Sequence, residues 1–343
     1  MADLAVAILG LGRLGTSAGL ALKRYNDMPR ASNHFTVTGH DMLGPLERTA
    51  KTLGAVDQTT ASARAAVTGK DMVLLAVPYA EFKRTLQDIA PGLREGAVVL
   101  DLSPLKQRAI DTARDLLPEG VFLISGTAVV NPIYLWDGLD DTEHARADYF
   151  DNGAVLLAPD AAVNPEAIDL VTAFINVLGA DVHYVDPAEH DGVIAATEAV
   201  PALLGLAAFR AMSSGDGWGE VQRLTNPAFG RLTHRIMDTH PDDLRDLLVY
   251  NRDNTVRHLD AVLATLTELR ELLNEGDSDA IEAALVNTEK RYQAWIKQRS
   301  QGKWDDALDQ DAPDNASILS GFLGGFLSER LFGGKDDDEK GKR

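Results

Sequence analysis

The segment Gly10-Leu11-Gly12-Arg13-Leu14-Gly15 constrains this chain more than any other. It follows an apolar run, Leu4 to Leu9, and precedes a stretch of helical character, Thr16 to Arg24. A G-x-G-x-x-G turn between a strand and a helix is the fingerprint of a dinucleotide-binding βαβ unit. The three glycines do different things. Gly10 permits the tight turn, Gly12 lets the backbone approach a pyrophosphate, and Gly15 lets helix and strand pack closely. The helix N-terminus, with free N–H groups and the positive end of its dipole, favours the phosphate charge. Phe35-Thr36-Val37-Thr38-Gly39 reads as the next strand, with Asp41 at its end. A carboxylate there accepts hydrogen bonds from a ribose 2′-hydroxyl and repels a 2′-phosphate, so NAD is expected rather than NADP.

Further apolar runs alternate with helical stretches as far as residue 158. They are Met72 to Val77, Ala97 to Leu102, Val121 to Ile124 and Val155 to Leu157. This spacing predicts parallel strands with crossover helices, an α/β fold with a doubly wound, Rossmann-type sheet. Pro78 stops the run that ends at Val77, and that strand end should face the nucleotide crevice. The expected cofactor-binding residues are therefore Gly10, Gly12, Arg13, Leu14, Gly15, Asp41, Val77 and Pro78.

Beyond Pro159 the pattern changes. One more β-like stretch, Asp181 to Val185, leads into long helical patterns. Residues 188–213 are rich in Ala and Leu, which predicts a helix buried on most sides. Apolar residues recur at helical spacing over 242–275, and Ser278 can cap a further helix through Trp295. The expected organisation is a nucleotide domain at 1–158, an all-helical substrate and dimerisation domain at 159–300, and a linker at 301–316. An amphipathic tail helix at 317–334 and a disordered end at 335–343 would follow. Docking of that tail on its own protein or a dimer mate is favoured over a membrane contact, because the acidic run Asp336-Asp337-Asp338-Glu339 would be repelled by anionic lipid.

The 343 residues are 45% hydrophobic and 25% charged, the balance of a soluble globular protein of about two domains. A formal charge of −19 with no basic patch argues against a nucleic-acid partner. With no cysteine, disulfides, thiolate catalysis and cysteine metal sites are excluded. No metal-ligand spacing is apparent, no signal core opens the chain, and no apolar stretch reaches the ~20 residues of a membrane span. A cytoplasmic enzyme is expected.

The order of motifs resembles the prephenate/arogenate dehydrogenase family over about residues 4–300. Leu9 to Gly15 is similar to its glycine loop, Gly39-His40-Asp41 to its acidic strand end, and Asp71 to Pro78 to its strand and proline. Val99-Leu100-Asp101-Leu102-Ser103-Pro104-Leu105-Lys106 resembles its aspartate–serine–lysine segment. Ala147-Asp148-Tyr149-Phe150 through Pro159, Glu189-His190-Asp191, and Tyr250-Asn251-Arg252-Asp253-Asn254 complete the likeness. The resemblance implies a Rossmann domain followed by a helical dimerisation domain, a homodimer, and NAD-dependent oxidative decarboxylation of prephenate or arogenate in tyrosine biosynthesis. A small dicarboxylate or amino-acid substrate then needs a hydroxyl acceptor near the nicotinamide and groups that hold its carboxylates.

The chain departs from that family where the chemistry should be. The family's histidine-proline motif aligns with Asn131-Pro132, and asparagine is no base at neutral pH. Its serine aligns with Pro104, leaving Ser103 one position early. A second family histidine falls near Ala199-Val200-Pro201, where Glu198 is the adjacent polar residue. The residues expected to contact the reacting hydroxyl are Asn131, Ser103 and His190. His190 also reads as a helix-start residue that holds the domain junction together, and that reading is preferred. Arg231 and Arg235 align loosely with the family's arginine motif and are candidates for carboxylate recognition, although exposed helix arginines would look the same. Asp101 and Lys106 either approach the nicotinamide or are a strand-end cap and an exposed lysine. Two further functions stay open: an NAD-binding sensor or assembly protein without dehydrogenase chemistry, and a dehydrogenase for another small acid.

Overall fold

The computed structural model describes residues 2–29 and 31–301. The expected tail helix at 317–334, the disordered end and all but the first residue of the expected linker lie outside the described residues. The chain divides into two compact units, Met1–Ala264 and Thr265–Arg343.

The first unit is built on one eight-stranded sheet. In chain order its elements begin β1 (Ala2–Leu9), α1 (Arg13–Asn26), β2 (Asn33–His40), α2 (Gly44–Thr52), β3 (Gln58–Thr59) and α3 (Ala63–Val67). They continue with β4 (Met72–Leu75), α4 (Tyr79–Ile89), β5 (Val98–Asp101), α5 (Lys106–Leu116) and β6 (Phe122–Val129). After a long connection come β7 (Gly153–Pro159), α6 (Pro165–Leu178) and β8 (Ala180–Tyr184). The strand order is β3-β2-β1-β4-β5-β6-β7-β8. The chain thus leaves β1 to one side for β2 and returns to its other side for β4, which makes the β1/β4 crevice the topological switch point. Apolar cores cover both faces, one around Val6, Ile8, Val37 and Leu74, the other around Ala7, Leu9, Val73 and Val99.

Two expectations are corrected. The sheet is mixed rather than all parallel, because β7 runs antiparallel to β6. The connection at 130–152 holds only short 3₁₀ turns, so no crossover helix carries the chain back to a parallel start. The sheet also runs on to Tyr184, so the expected boundary at residue 158 falls inside β7.

Helices follow: α7 (Pro187–Ile194), a π turn (Ala195–Ala199), α8 (Val200–Ser213), α9 (Trp218–Leu224), α10 (Pro227–Thr233), α11 (Arg235–Asp238), α12 (Pro241–Tyr250) and α13 (Arg252–Glu275). The pattern over 242–275 is therefore two helices, parted at Asn251. α7, the π turn and α8 make one helical run of 27 residues that is long and apolar enough to cross a membrane, contrary to the expectation from the sequence. Buried His190 and Asp191 tie this run to the sheet and to α5, as in a core helix. It is not buried on most sides: Leu206, Phe209 and Met212 of α8 are exposed in the single chain.

In the second unit, α14 (Ser278–Gln301) is capped by Asp277, whose carboxylate accepts the Asp279 and Ala280 N–H groups at 3.0 Å, rather than by Ser278.

Candidate functional site

The glycine turn has the geometry a pyrophosphate needs. Gly10 adopts φ +91°, and a Cβ there would meet the Ala76 carbonyl oxygen at 2.2 Å. A Cβ on Gly15 would meet the Gly10 carbonyl oxygen at 2.0 Å, so backbone packs directly on backbone. At Gly12 nothing lies within 4 Å of that position, which leaves an open slot over the start of α1. No side chain caps α1, so the first N–H groups of the helix remain available to an anion. Leu14 occupies the first turn of that helix. Asp41 lies at the end of β2, where one carboxylate oxygen accepts Leu11 N–H at 2.7 Å and the other Leu43 N–H at 2.8 Å. Lone pairs remain on both oxygens for a ribose hydroxyl. Across the switch point, Ala76 N–H donates to Leu9 at 2.8 Å, and Val77 and Pro78 lead into α4. These residues fit a dinucleotide.

Arg13 does not belong to that set. Its guanidinium is buried and makes a bidentate pair with Asp137 at 2.8 and 2.6 Å. Its Nε donates to the His144 carbonyl at 3.1 Å, and a further N–H donates to Leu139. The rings of Tyr134 and Tyr149 lie 5.1 and 4.7 Å from its centre. Residues 132–146 thus form a strap tied to the glycine turn. Thr142 Oγ1 donates to the Leu11 carbonyl at 2.6 Å, and Arg146 N–H to Ser17 Oγ at 3.0 Å. With these donors engaged by the strap, Arg13 is an anchor between the strap and the start of α1.

A second cluster fills the ends of β5 and β6. Asp101 accepts from Ser103 N–H at 2.9 Å, Ser103 Oγ at 2.8 Å and Ser125 Oγ at 2.5 Å. Lys106, expected near the nicotinamide or exposed, is completely buried instead. Its ammonium donates to the carbonyls of Ser103 and, at 2.6 Å, Gly126. Burial pushes its pKa down to about 8, against the pull of Asp101 and Asp191. Asp191 caps α5 from outside, accepting Lys106 N–H at 2.8 Å. Asp243 of α12 does the same for α4, accepting Ala80 N–H at 2.7 Å. Two carboxylates from the helical region therefore seat on two helix N-termini of the sheet region, where the dipoles favour them.

The residues expected to carry the chemistry are each engaged by other parts of the protein. His190 is fully buried, with Nε2 at 2.9 Å from Thr127 Oγ1 and Nδ1 at 3.3 Å from Asp191. Burial holds its pKa below the ordinary histidine value, with Asp191 opposing, so the ring is neutral at pH 7. It holds the junction together. Ser103 Oγ is spent on Asp101. Asn131 caps a 3₁₀ turn: its Oδ1 accepts Ile133 N–H at 3.2 Å and its Nδ2 donates to the Asp148 carbonyl at 3.0 Å. Arg231 bonds its own helix at Pro227 O, 3.2 Å away. Arg235 instead pairs with Glu198.

Glu198 is the residue whose part the sequence alone did not reveal. It sits in the π turn, which the following proline explains: Pro201 has no N–H to return to Thr197, so the helical ladder slips. Its side chain is partly open to solvent, yet surrounding protein pushes its pKa above the ordinary glutamate value. Arg235 opposes that rise, and Asp140 of the strap adds to it. A signal was present: Glu198 is the only charged residue between Asp191 and Arg210.

Comparison with known proteins agrees with this architecture. Residues 23–184 match the prephenate dehydrogenase nucleotide-binding domain, beginning just past the glycine turn, and residues 186–287 match the prephenate dehydrogenase dimerization domain. The chain is 25% identical over 283 residues to a cyclohexadienyl dehydrogenase of Zymomonas mobilis, covering 80% of this chain and 90% of that protein. It is 22% identical over 332 residues to a prephenate dehydrogenase of Bacillus subtilis, covering 95% and 85%. The fold is similar to that of prephenate dehydrogenase from Aquifex aeolicus in complex with hydroxyphenyl propionate and NAD+, with a TM-score of 0.68 at 20% identity over 86% of this chain and 99% of that one. The chain belongs to the prephenate dehydrogenase family.

Proposed function

We propose that this protein is an NAD-dependent dehydrogenase that oxidatively decarboxylates prephenate or arogenate, in the cytoplasm, as a step of tyrosine biosynthesis. The observation that carries the reading is the open slot over Gly12, set between the uncapped start of α1 and Asp41. Asp41 supports NAD over NADP, since its carboxylate would face a 2′-phosphate. The bound nicotinamide supplies the oxidant, and loss of carbon dioxide from the oxidised ring is driven by aromatisation. The protein's part is to hold the acid's carboxylates and to take the proton of its hydroxyl.

The exposed apolar residues of α8 support a homodimer, because a second copy would cover Leu206, Phe209 and Met212. A second reading is favoured by one observation, the commitment of Asn131, Ser103 and His190 to internal hydrogen bonds. On that reading the protein binds NAD without performing the reaction.

One experiment separates the two. NADH formation is followed at saturating NAD with prephenate, with arogenate and with neither, and NAD binding is measured by calorimetry on the same preparation. Turnover with either acid is the expected result. Tight NAD binding without turnover overturns the dehydrogenase reading, and absence of NAD binding overturns both.

A further inference from the structure

The dehydrogenase reading leaves the substrate proton without an acceptor. Among the residues expected to take it, His190 has no exposed surface, Ser103 donates inward and Asn131 has no basic atom. Yet an alcohol whose carbon gives up its hydrogen together with the C–H electron pair must also lose its hydroxyl proton, or the carbonyl cannot form.

We infer that Glu198 is this proton acceptor, aimed by the π turn and held by Arg235; the inference rests on the dehydrogenase reading above. Three observations place the carboxylate. A π turn adds one residue to a helical turn and rotates the side chains that follow, and such turns recur at functional sites. Glu198 stands within that turn, at the only interruption of the 27-residue helical run. Its two charged neighbours come from different parts of the chain. Arg235 of α11 pairs with it, and Asp140 of the strap lies within electrostatic reach. The strap is the segment tied to the glycine turn through Arg13 and Thr142, so the charge of Glu198 is felt by the segment that packs on the cofactor turn. The other elements around the π turn direct their carboxylates elsewhere. Asp243 of α12 seats on Ala80, Asp246 pairs with Arg245, and Asp191 of α7 seats on Lys106.

The balance of the step is simple. The hydroxyl O–H bond breaks, its proton goes to a Glu198 carboxylate oxygen, and the O–H electron pair becomes the second bond of the new carbonyl as the C–H hydrogen leaves with its electron pair. When the ring carboxylate departs as carbon dioxide, the C–C pair aromatises the ring and the oxygen takes a proton back. Arg235 keeps the carboxylate in place while it is ionised. It also gives the proton a reason to leave again for solvent, since the ion pair re-forms as the proton departs. The crowded but partly open setting raises the affinity for a proton without closing the route to water.

The test uses the full chain with NAD bound, and compares wild type with Glu198→Gln and Glu198→Asp. Glu198→Gln should retain the wild-type melting temperature and NAD affinity and lose about a hundredfold or more in kcat. Wild-type kcat should rise with pH through a carboxyl that titrates above the ordinary glutamate range, and Glu198→Gln should lack that limb. Glu198→Asp should recover part of the rate with the limb restored. A Glu198→Gln enzyme within threefold of wild type, or with the same limb, overturns the inference. A second readout does not require turnover: carbon-13 NMR titration of glutamate carboxyls, with Glu198 assigned by its loss in Glu198→Gln. A midpoint in the ordinary glutamate range overturns the inference whatever the substrate. A raised midpoint with no turnover on either acid keeps Glu198 and overturns the substrate reading instead.

Discussion

The glycine turn and the polar cluster at the ends of β5 and β6 are made of different material. The turn is a backbone site. Its contacts are carbonyls, N–H groups and the absence of a Cβ at Gly10 and Gly15. The cluster is built by side chains: Asp101 holds Ser103 and Ser125, the Lys106 ammonium holds two carbonyls, and Asp191 meets His190 and the start of α5. A backbone site tolerates almost no local change but needs few distant residues. A side-chain site can be rebuilt while the fold persists.

The largest effect should come from adding one methyl group to the turn. In Gly15→Ala the new Cβ would press on the Gly10 carbonyl, and in Gly10→Ala on Ala76 as well as opposing φ +91°. Each should lose about 3 kcal/mol of stability in urea unfolding, together with NAD binding. Gly12→Ala meets nothing, so it should unfold as wild type does. It should still weaken NAD binding at least tenfold, because the methyl group occupies the slot the phosphate needs. Equal loss of stability at all three positions would show that the turn is not divided between packing and binding as described.

The same contrast explains what could be read from the sequence. Gly10, Gly15, Asp41 and the strands around them are legible because their partners follow from a short, fixed spacing. Arg13 sits inside that motif, yet its partner is Asp137, 124 positions away on the strap, and no local pattern announces it. Lys106 looks like an ordinary helix-start lysine. Its burial depends on a carbonyl 20 residues ahead and a carboxylate 85 residues ahead. Asn131 reads from the sequence as a candidate for the chemistry, but a 3₁₀ turn uses it as a cap. The antiparallel β7 escaped notice for a related reason: apolar runs give strands but not directions, and direction was set by a connection without a helix.

An intermediate effect should come from the cluster. Lys106→Met removes the donor to two buried carbonyls and should cost about 2 kcal/mol at neutral pH. The pH dependence tests the burial itself. Lys106 titrates at about 8 in the folded protein, against 10.5 for an ordinary lysine. Between those values the unfolded chain binds more protons than the native one, so this group makes stability rise with pH across that window. Lys106→Met lacks the titration. The stability difference between wild type and variant should therefore widen from pH 8 to 10.5 in urea melts. A constant difference would mean that the ammonium is solvated in the native state.

The smallest effect, and the one that most directly opposes the two readings of an aligned residue, belongs to Asn131. As a cap it supplies an acceptor to Ile133 N–H and a donor to the Asp148 carbonyl. Asn131→Asp keeps the acceptor, which is as good at a helix start as asparagine, but sets a carboxylate against a carbonyl oxygen. About 1 kcal/mol of stability should be lost, with NAD binding unchanged. If the position were a catalytic one that had merely lost its base, the same substitution would restore a proton acceptor and raise kcat. The cap reading predicts no gain, because the side chain is buried and its oxygen is already directed at the turn. A rate increase in Asn131→Asp with an unchanged melt would return the chemistry to the β6 end and away from Glu198.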